Sequence, residues 1–166
     1  APLRLAAETA LRDIIATLEA EKPDLVIVDS IQTMWSDTVE SAPGSVAQVR
    51  AAAHELVTFA KRRNTAVIIV GHVTKEGQIA GPRVVEHMVD AVASFEGDQG
   101  HHFRILRAVK NRFGPTDEVG CFDLSDVGIV GLPDPSGLFL TRTAEPAPGT
   151  CITVTLEGRR PLVTEV

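Results

Sequence analysis

Two short segments of the chain are apolar without interruption, and each ends at a polar residue. Residues 25–28 lead into Asp29, and residues 66–71 lead into His72. Such segments are typical of strands in parallel α/β sheets, where helices cover the sheet from both sides. Residues 45–64, which lie between them, carry apolar side chains at helical spacing. The pattern therefore predicts a βαβ unit with two parallel strands.

Asp29 and His72 are expected to lie close together, because the carboxyl ends of parallel strands lie at the same edge of a sheet. Open α/β sheets bind their ligands at this edge. A carboxylate there suits hydrated Mg²⁺, which takes one or two carboxylates together with waters and nucleotide phosphates. In the alternative interpretation both residues are structural, with Asp29 capping a helix and His72 a satisfied polar residue.

The rest of the pattern predicts an α/β fold. We expect a mostly parallel twisted sheet with helices on both faces, and a C-terminal β-hairpin over residues 103–124 along one edge. Thr9 is placed to cap a helix that continues to about Ala20. A short helix is predicted at residues 83–88. The predicted strands of the main sheet are residues 3–7, 25–29, 66–71 and 90–95.

Composition narrows the class of protein. The 166 residues include 44% apolar and 23% charged side chains, which is ordinary for a globular domain. The net charge of −6 argues against a uniformly basic nucleic-acid binder, so any contact with DNA must be local. No segment approaches the ~18 apolar residues of a membrane span, and no signal-peptide pattern is present. We therefore expect a cytoplasmic protein without a membrane partner.

One stretch is locally basic against this acidic background. Between His101 and Phe113 there are four lysine or arginine residues and no acidic residue, and Lys110 and Arg112 close the stretch. These two residues are predicted to lie on an extended hairpin end, where residues two apart point to the same side. A solvated edge strand that uses charge to resist aggregation is one explanation.

The composition changes again from Leu132 onward. Proline and glycine crowd residues 133–149, which is typical of a linker or a domain boundary, and residues 151–156 are predicted to form one strand. A single strand and turn cannot bury a core of their own. We therefore predict a domain over residues 1–143, followed by a linker and the first strand of a second domain over residues 144–166.

Four blocks of the sequence closely resemble the bacterial RadA (Sms) family of DNA-repair ATPases. The blocks are residues 28–33, 71–77, 80–90 and 110–114, and the last of these, Lys-Asn-Arg-Phe-Gly, is highly specific to that family. The likeness covers residue 3 to about residue 166. It implies a RecA-like ATPase core, related to DnaB-like helicases, that assembles as a ring hexamer and hydrolyses ATP with Mg²⁺.

The resemblance further implies the partners of this ATPase. They are single-stranded DNA and branched recombination intermediates, whose branch migration the family promotes, together with a RecA-type recombinase. The loops at residues 33–44 and 74–82 would face the channel of the ring. Lys75 and Arg83 would then contact DNA phosphates, and Trp35 is the best placed aromatic for stacking on bases.

Roles for individual residues of the ATP site also follow from the resemblance. Asp29 matches the Walker B aspartate, which holds Mg²⁺ through water, and Ser30 follows it in the nucleotide site. His72 lies where RecA relatives carry a polar sensor of the γ-phosphate. Lys110 and Arg112 match the basic fingers that reach the ATP of a neighbouring subunit.

Three parts of the family pattern do not occur in these residues. They are the phosphate loop Gly-x-x-x-x-Gly-Lys-Ser/Thr, the segment with the catalytic glutamate, and the four-cysteine zinc module, so zinc is not expected here. The tail at residues 150–166 resembles the first strand of the family's Lon-protease-like domain, without a visible Ser-Lys dyad. We expect the chain to be the C-terminal part of an ATPase core that is inactive and binds ATP weakly by itself.

Two other functions are compatible with the residues. A metal-dependent hydrolase could use Asp29 with His72, His87, His101 and His102, although no His-x-x-x-His or Glu-x-x-His pair lies on a predicted helix. The other is a non-catalytic interaction or assembly module with ATPase ancestry. Metal analysis would identify the first, and a full-length polypeptide without a phosphate loop upstream would favour the second.

Overall fold

The computed structural model describes residues 2–72, 82–97, 102–133, 149 and 151–165. The chain divides into two compact units, Ala1–Val89 and Asp90–Val166. Within the described residues, the first unit combines helices with a parallel pair of strands, and the second consists of antiparallel strands. The chain is therefore α/β, as predicted from its sequence.

The first unit contains the predicted βαβ unit. Strands β1 (Leu25–Asp29) and β2 (Ala66–Val70) pair in parallel, with Leu25 opposite Ala66 and Asp29 opposite Val70. The parallel pairing of the two apolar segments is thus confirmed. The elements of this unit are α1 (Leu11–Glu21), β1 (Leu25–Asp29), a 3₁₀ turn (Ile31–Thr33), α2 (Val46–Arg63), β2 (Ala66–Val70) and α3 (Pro82–Glu86).

Helices α1 and α2 pack on one face of the parallel pair. Along β1, Val26 and Val28 are buried, whereas Leu25 and Ile27 are exposed. The prediction of helices on both faces is therefore wrong for the described residues, because both helices direct their apolar side chains into one cluster with the buried face of the strands. That cluster includes Leu11 of α1 and Val49, Ala52, Ala53, Leu56 and Phe59 of α2.

The ends of α2 follow the chemistry of its sequence. The Ser45 hydroxyl accepts a hydrogen bond from the Gln48 N–H at the start of the helix, as expected for a helix cap. Near the C-terminus, where basic side chains are favoured by the helix dipole, Arg62 and Arg63 both form ion pairs with Glu19 of α1. No described helix is long and apolar enough to cross a membrane.

Two predictions about the start of the chain are wrong. Residues 3–7 do not form a strand and their leucines are exposed, because no strand in the described part of the chain pairs with them. Thr9 does not cap α1, since Ala10 is the residue that precedes the helix and makes no side-chain bond. Instead, Glu8 accepts hydrogen bonds from the N–H groups of Ala10 and Thr9, which lower the pKa of Glu8.

The second unit contains a four-stranded antiparallel meander and a separate two-stranded sheet. The hairpin predicted over residues 103–124 is confirmed by the antiparallel pairing of β4 (Phe103–Asn111) with β5 (Val119–Ser125). The segment predicted at residues 90–95 does form a strand, but it does not join the parallel sheet as predicted. It pairs antiparallel with β4, because the short connection between the two cannot make the crossover that parallel strands need. The strands are β3 (Ala91–Glu96), β4 (Phe103–Asn111), β5 (Val119–Ser125), β6 (Gly128–Gly131), β7 (Ile152–Glu157) and β8 (Arg160–Glu165).

The tail forms a hairpin where the sequence predicted one strand. β7 pairs with β8, and the turn between them contacts Asp117, whose carbonyl accepts a hydrogen bond from the Arg159 N–H at 2.8 Å. Gly158 has a φ of +62°, and a Cβ there would lie 2.4 Å from the Asp117 carbonyl oxygen, so the turn requires glycine. The predicted boundary between residues 143 and 144 lies outside the described residues.

Candidate functional site

The carboxyl ends of β1 and β2 bring Asp29 and His72 together, and we call these two residues the carboxyl edge. Asp29 ends β1, and His72 lies two residues beyond the end of β2. Asp29 Oδ1 is 3.6 Å from His72 Nε2, and 67% and 65% of the two side chains are exposed. The predicted meeting of the two residues is therefore observed. An exposed carboxylate beside an imidazole can hold a hydrated cation and contact a polar ligand.

The turn after β1 links the two strand ends. Gln32 donates a hydrogen bond from Nε2 to the backbone carbonyl of His72 at 3.1 Å. Ser30 is buried, and its carbonyl accepts hydrogen bonds from the N–H and the hydroxyl of Thr33. No role was predicted for Gln32 from the sequence, although its place directly after the strand was a usable signal.

The loop after this turn is held against α2 by one buried side chain. Gln48 accepts a hydrogen bond from the Ser36 N–H at 2.7 Å. It donates from Nε2 to the carbonyls of Ser36, Val39 and Ser41, at 3.0, 2.9 and 3.1 Å. One glutamine from the helix thus satisfies four backbone groups of the loop. This role was missed, because a polar residue in a helix gives no sign of a distant partner.

The three residues predicted to contact DNA have different environments. Trp35 is 38% exposed, and its backbone pairs with the start of α1 through hydrogen bonds to Thr9 and Leu11. Arg83 is exposed on α3. Lys75 lies outside the described residues.

Arg83 lines an open groove of about 820 Å³ in the first unit. The polar side chains around the groove are Arg50, His54, Arg83 and His87, so every charge that its described lining can carry is positive. The apolar lining residues are Val39, Ala47, Ala51, Val84 and Met88. The groove therefore combines positive charge with an apolar surface, next to the loop that Gln48 holds.

Lys110 and Arg112 lie at the end of β4, in the second unit. Lys110 is a half-buried residue of the strand, opposite Val92, whereas β4 ends at Asn111 and Arg112 belongs to the following turn. The expectation that both side chains point to the same side relied on strand geometry through residue 112. Because β4 stops one residue earlier, that expectation stays a prediction.

Residues 111–115 form a turn that we call the finger turn. Asn111 accepts a hydrogen bond from the Phe113 N–H at 3.1 Å and donates one to the Pro115 carbonyl at 3.2 Å. Arg112 Nη1 is 2.9 Å from Asp90 Oδ1, and the Arg112 N–H donates to the Asp90 carbonyl at 2.9 Å. Neither Asn111 nor Asp90 was predicted from the sequence. Asn111 could have been found, since asparagine in turns often bonds nearby backbone.

The described residues give no support to the metal-dependent hydrolase. Among them, no group of three or more His, Cys, Asp or Glu side chains could hold a metal ion. His87 lines the groove in the first unit, and His102 is an exposed residue next to β4 in the second. His101 lies outside the described residues.

Comparison with known proteins identifies relatives of the whole chain. A family model described as an AAA domain matches residues 2–78. The DNA repair protein RadA of Brucella abortus is 56% identical over 169 residues, which cover 99% of this chain and 36% of that protein. RadA of Mycobacterium tuberculosis is 53% identical over 162 residues, covering 98% of this chain and 34% of that protein. The chain spans about a third of the length of these curated relatives.

Solved structures show the same fold at low sequence identity. One solved ATPase domain superposes with a TM-score of 0.60 and 14% identity, covering 75% of this chain and 52% of that chain. The RadB recombinase gives a TM-score of 0.50 and 20% identity, covering 72% and 57% of the two chains. Together with identities above one half to RadA proteins over nearly all its residues, these findings show that the chain belongs to the RadA family of DNA repair proteins and carries part of a RecA-like ATPase domain.

Proposed function

We propose that this chain is part of a DNA-dependent ATPase that processes single-stranded and branched DNA during repair and promotes branch migration. The observation that supports this most directly is the carboxyl edge, where Asp29 and His72 meet at 3.6 Å. In open α/β sheets this edge is where ligands bind. A RecA-type recombinase is the further partner we propose, beside the DNA.

The residues at the carboxyl edge fit a nucleotide with Mg²⁺. Asp29 presents an exposed carboxylate directly at a strand end, which suits a metal ion held through water. Mg²⁺, when bound, neutralises charge on the phosphate oxygens. We propose that His72 contacts the γ-phosphate and that Ser30, which is buried directly after Asp29, shapes the backbone there. The Gln32 bond to the His72 carbonyl ties this contact to the turn after β1.

Arg112 is the proposed finger for the ATP of a neighbouring subunit in a ring hexamer, and Lys110 adds a second positive charge. Phosphoryl transfer leaves little covalent chemistry to the protein, so catalysis depends on positioning and on charge near the γ-phosphate oxygens. The planar guanidinium of arginine can bind two such oxygens at once. A finger supplied by the neighbour makes hydrolysis depend on ring assembly.

The groove lined by Arg83 is the proposed DNA surface of the first unit. Its positive charge suits phosphates, and its apolar surface suits sugars and bases. Arg50 extends the contact that we propose for Arg83 and Lys75. Trp35 is partly exposed and available for stacking, but few aromatic residues accompany it, so we expect little sequence preference.

The test is Arg112→Ala in the full-length polypeptide, measured as DNA-stimulated ATP hydrolysis. Because fingers of this kind contribute roughly 10³–10⁵ in rate, we expect hydrolysis to be nearly abolished while folding and ATP binding persist. Arg112→Lys should restore only part of the rate, because an ammonium lacks the planar fork. Arg107→Ala is the matched control, since Arg107 lies on β4, the strand that leads into the finger turn, and pairs with Glu96.

Mixing mutant with wild-type subunits shows where the finger acts. If Arg112→Ala subunits inactivate the sites of their neighbours, activity falls faster than the mutant fraction rises, as we expect. A fall in simple proportion would place Arg112 in its own subunit and overturn the proposed finger. Full activity of the all-mutant protein would favour a non-catalytic assembly role for this turn.

A further inference from the structure

We propose that Asp90 is the positioning residue of Arg112, holding its guanidinium where the neighbouring ATP must meet it. This inference depends on the proposed function of Arg112 as a finger. Asp90 makes two contacts with Arg112: its carboxylate binds Nη1 at 2.9 Å, and its carbonyl accepts the Arg112 N–H at 2.9 Å. Both the backbone and the side chain of Arg112 are thus fixed by one residue.

An irregularity in the β3–β4 register produces this pairing. Ala93 pairs with Ala108, but Val92 pairs with Lys110 and Ala91 with Asn111, so β4 contains one extra residue at Val109. Continuing the register past Ala91 places Asp90 opposite Arg112. Without the extra residue, Asp90 would face Asn111 instead. Bulges of this kind commonly redirect a side chain next to a functional site.

The geometry leaves most of the guanidinium available. Asp90 binds Nη1, whereas Nε and Nη2 have no partner among the described residues. Their N–H groups can donate hydrogen bonds to a phosphate. The pair itself is too exposed to stabilise the fold much, with 67% of the Arg112 side chain and 45% of the Asp90 side chain exposed. Its value therefore lies in orientation, because a misplacement of about 1 Å can cost roughly 100-fold in rate.

The experiment compares Asp90→Ala and Asp90→Asn in the full-length protein, with kcat and KM for ATP measured separately. We expect Asp90→Ala to lower kcat about 10- to 100-fold, with KM and melting temperature nearly unchanged. Asp90→Asn keeps an oxygen acceptor and should recover much of the rate. Glu96→Ala is the matched control, since it removes the 3.3 Å pair with Arg107 that joins β3 to β4.

A double mutant separates this inference from the proposed function. Asp90→Ala should add nothing to Arg112→Ala, because a positioning residue has no effect without the group it positions. Unchanged kcat in Asp90→Ala, beside a severe loss in Arg112→Ala, overturns only the positioning role. A rise in kcat would also overturn it, showing that Asp90 competes with phosphate. A silent Arg112→Ala overturns the finger and the positioning role together.

Discussion

The carboxyl edge and the finger turn place their functional side chains by different physical means. Asp29 and His72 come from different strands, and parallel pairing brings them together. In the finger turn, Asn111 bonds backbone groups two and four residues further along, and Asp90, which directly precedes β3, binds Arg112 from outside the turn. The edge therefore depends on the packing of its whole unit, whereas the turn depends on a few hydrogen bonds. Mutations should separate these two kinds of dependence.

At the carboxyl edge, we expect the largest effect from Asp29→Asn. It removes the charge that we propose holds Mg²⁺ through water but keeps the shape of the side chain. Residues in such an outer shell typically contribute 10–100-fold in metal affinity or activity, so we expect a loss of about that size in ATP hydrolysis. Titration of the full-length Asp29→Asn variant with Mg²⁺ should show that ATP hydrolysis needs a higher Mg²⁺ concentration than in the wild type.

Asp24→Asn is the matched control for this prediction. Asp24 directly precedes β1 and is exposed at the amino end of the same strand, away from the edge where ligands bind. We expect the rate of ATP hydrolysis by Asp24→Asn, and the Mg²⁺ dependence of that rate, to match those of the wild type. Equal losses in the two variants would show that the strand, and not the carboxyl edge, is what the mutations disturb.

Most of the carboxyl edge could be predicted from the sequence, because it follows from two rules. Uninterrupted apolar segments predict buried parallel strands, and parallel strands end at the same edge. Asp29 and His72 were therefore found before the structure. The same rule failed for residues 3–7, where an apolar pattern exists but the described chain offers no pairing strand. It also failed for the exposed face of β1, whose pattern does not show which face is covered.

The finger turn was only partly predictable. Lys110 and Arg112 were found from local charge and resemblance, but Asp90 was not, because its pairing depends on the register shift between Val92 and Ala93. An extra residue in one strand leaves no mark in a hydrophobic pattern. Gln48 was missed for a related reason, since its partners are backbone groups of a loop and carry no sequence signature.

A smaller effect, on stability, should follow from Gln48→Leu. The change leaves the Ser36 N–H and three loop carbonyls without their buried partner, and an unsatisfied buried group costs about 1–3 kcal/mol. Because some of these groups can turn to water, we expect the free energy of unfolding to fall by about 2 kcal/mol. Urea denaturation of the variant and the wild type measures this difference in the free energy of unfolding.

The control for Gln48→Leu is Ser41→Ala in the same loop. The Ser41 hydroxyl bonds only the Ser45 hydroxyl in the described contacts, on an exposed surface, so its loss should cost well under about 1 kcal/mol. DNA binding by the full-length protein should weaken with Gln48→Leu, while ATP hydrolysis without DNA is retained. Equal stability of the two variants would mean that the loop does not depend on its long-range anchor.

The smallest effects come from a matched pair of glycine substitutions, one in each region. At Gly71, beside the carboxyl edge, a Cβ would meet its nearest atom, Gln32 Nε2, at an ordinary 3.7 Å. At Gly114, in the finger turn, a Cβ would lie 3.2 Å from Asn111 Nδ2, and that amide would have to move by a few tenths of an ångström. Neither glycine has the positive φ that other residues avoid.

Gly71→Ala should therefore leave stability unchanged or raise it by about 0.4–1 kcal/mol, because alanine restricts the unfolded chain more than glycine does. In Gly114→Ala the displaced amide should offset that gain, and the finger turn loosens. Thermal unfolding of both variants tests the stability, and DNA-stimulated hydrolysis tests the function, which we expect to fall only with Gly114→Ala. If Gly71→Ala proves the more damaging of the two, the carboxyl edge is the more tightly packed region. It would then be wrong that the carboxyl edge depends on strand pairing and the finger turn on a few local hydrogen bonds.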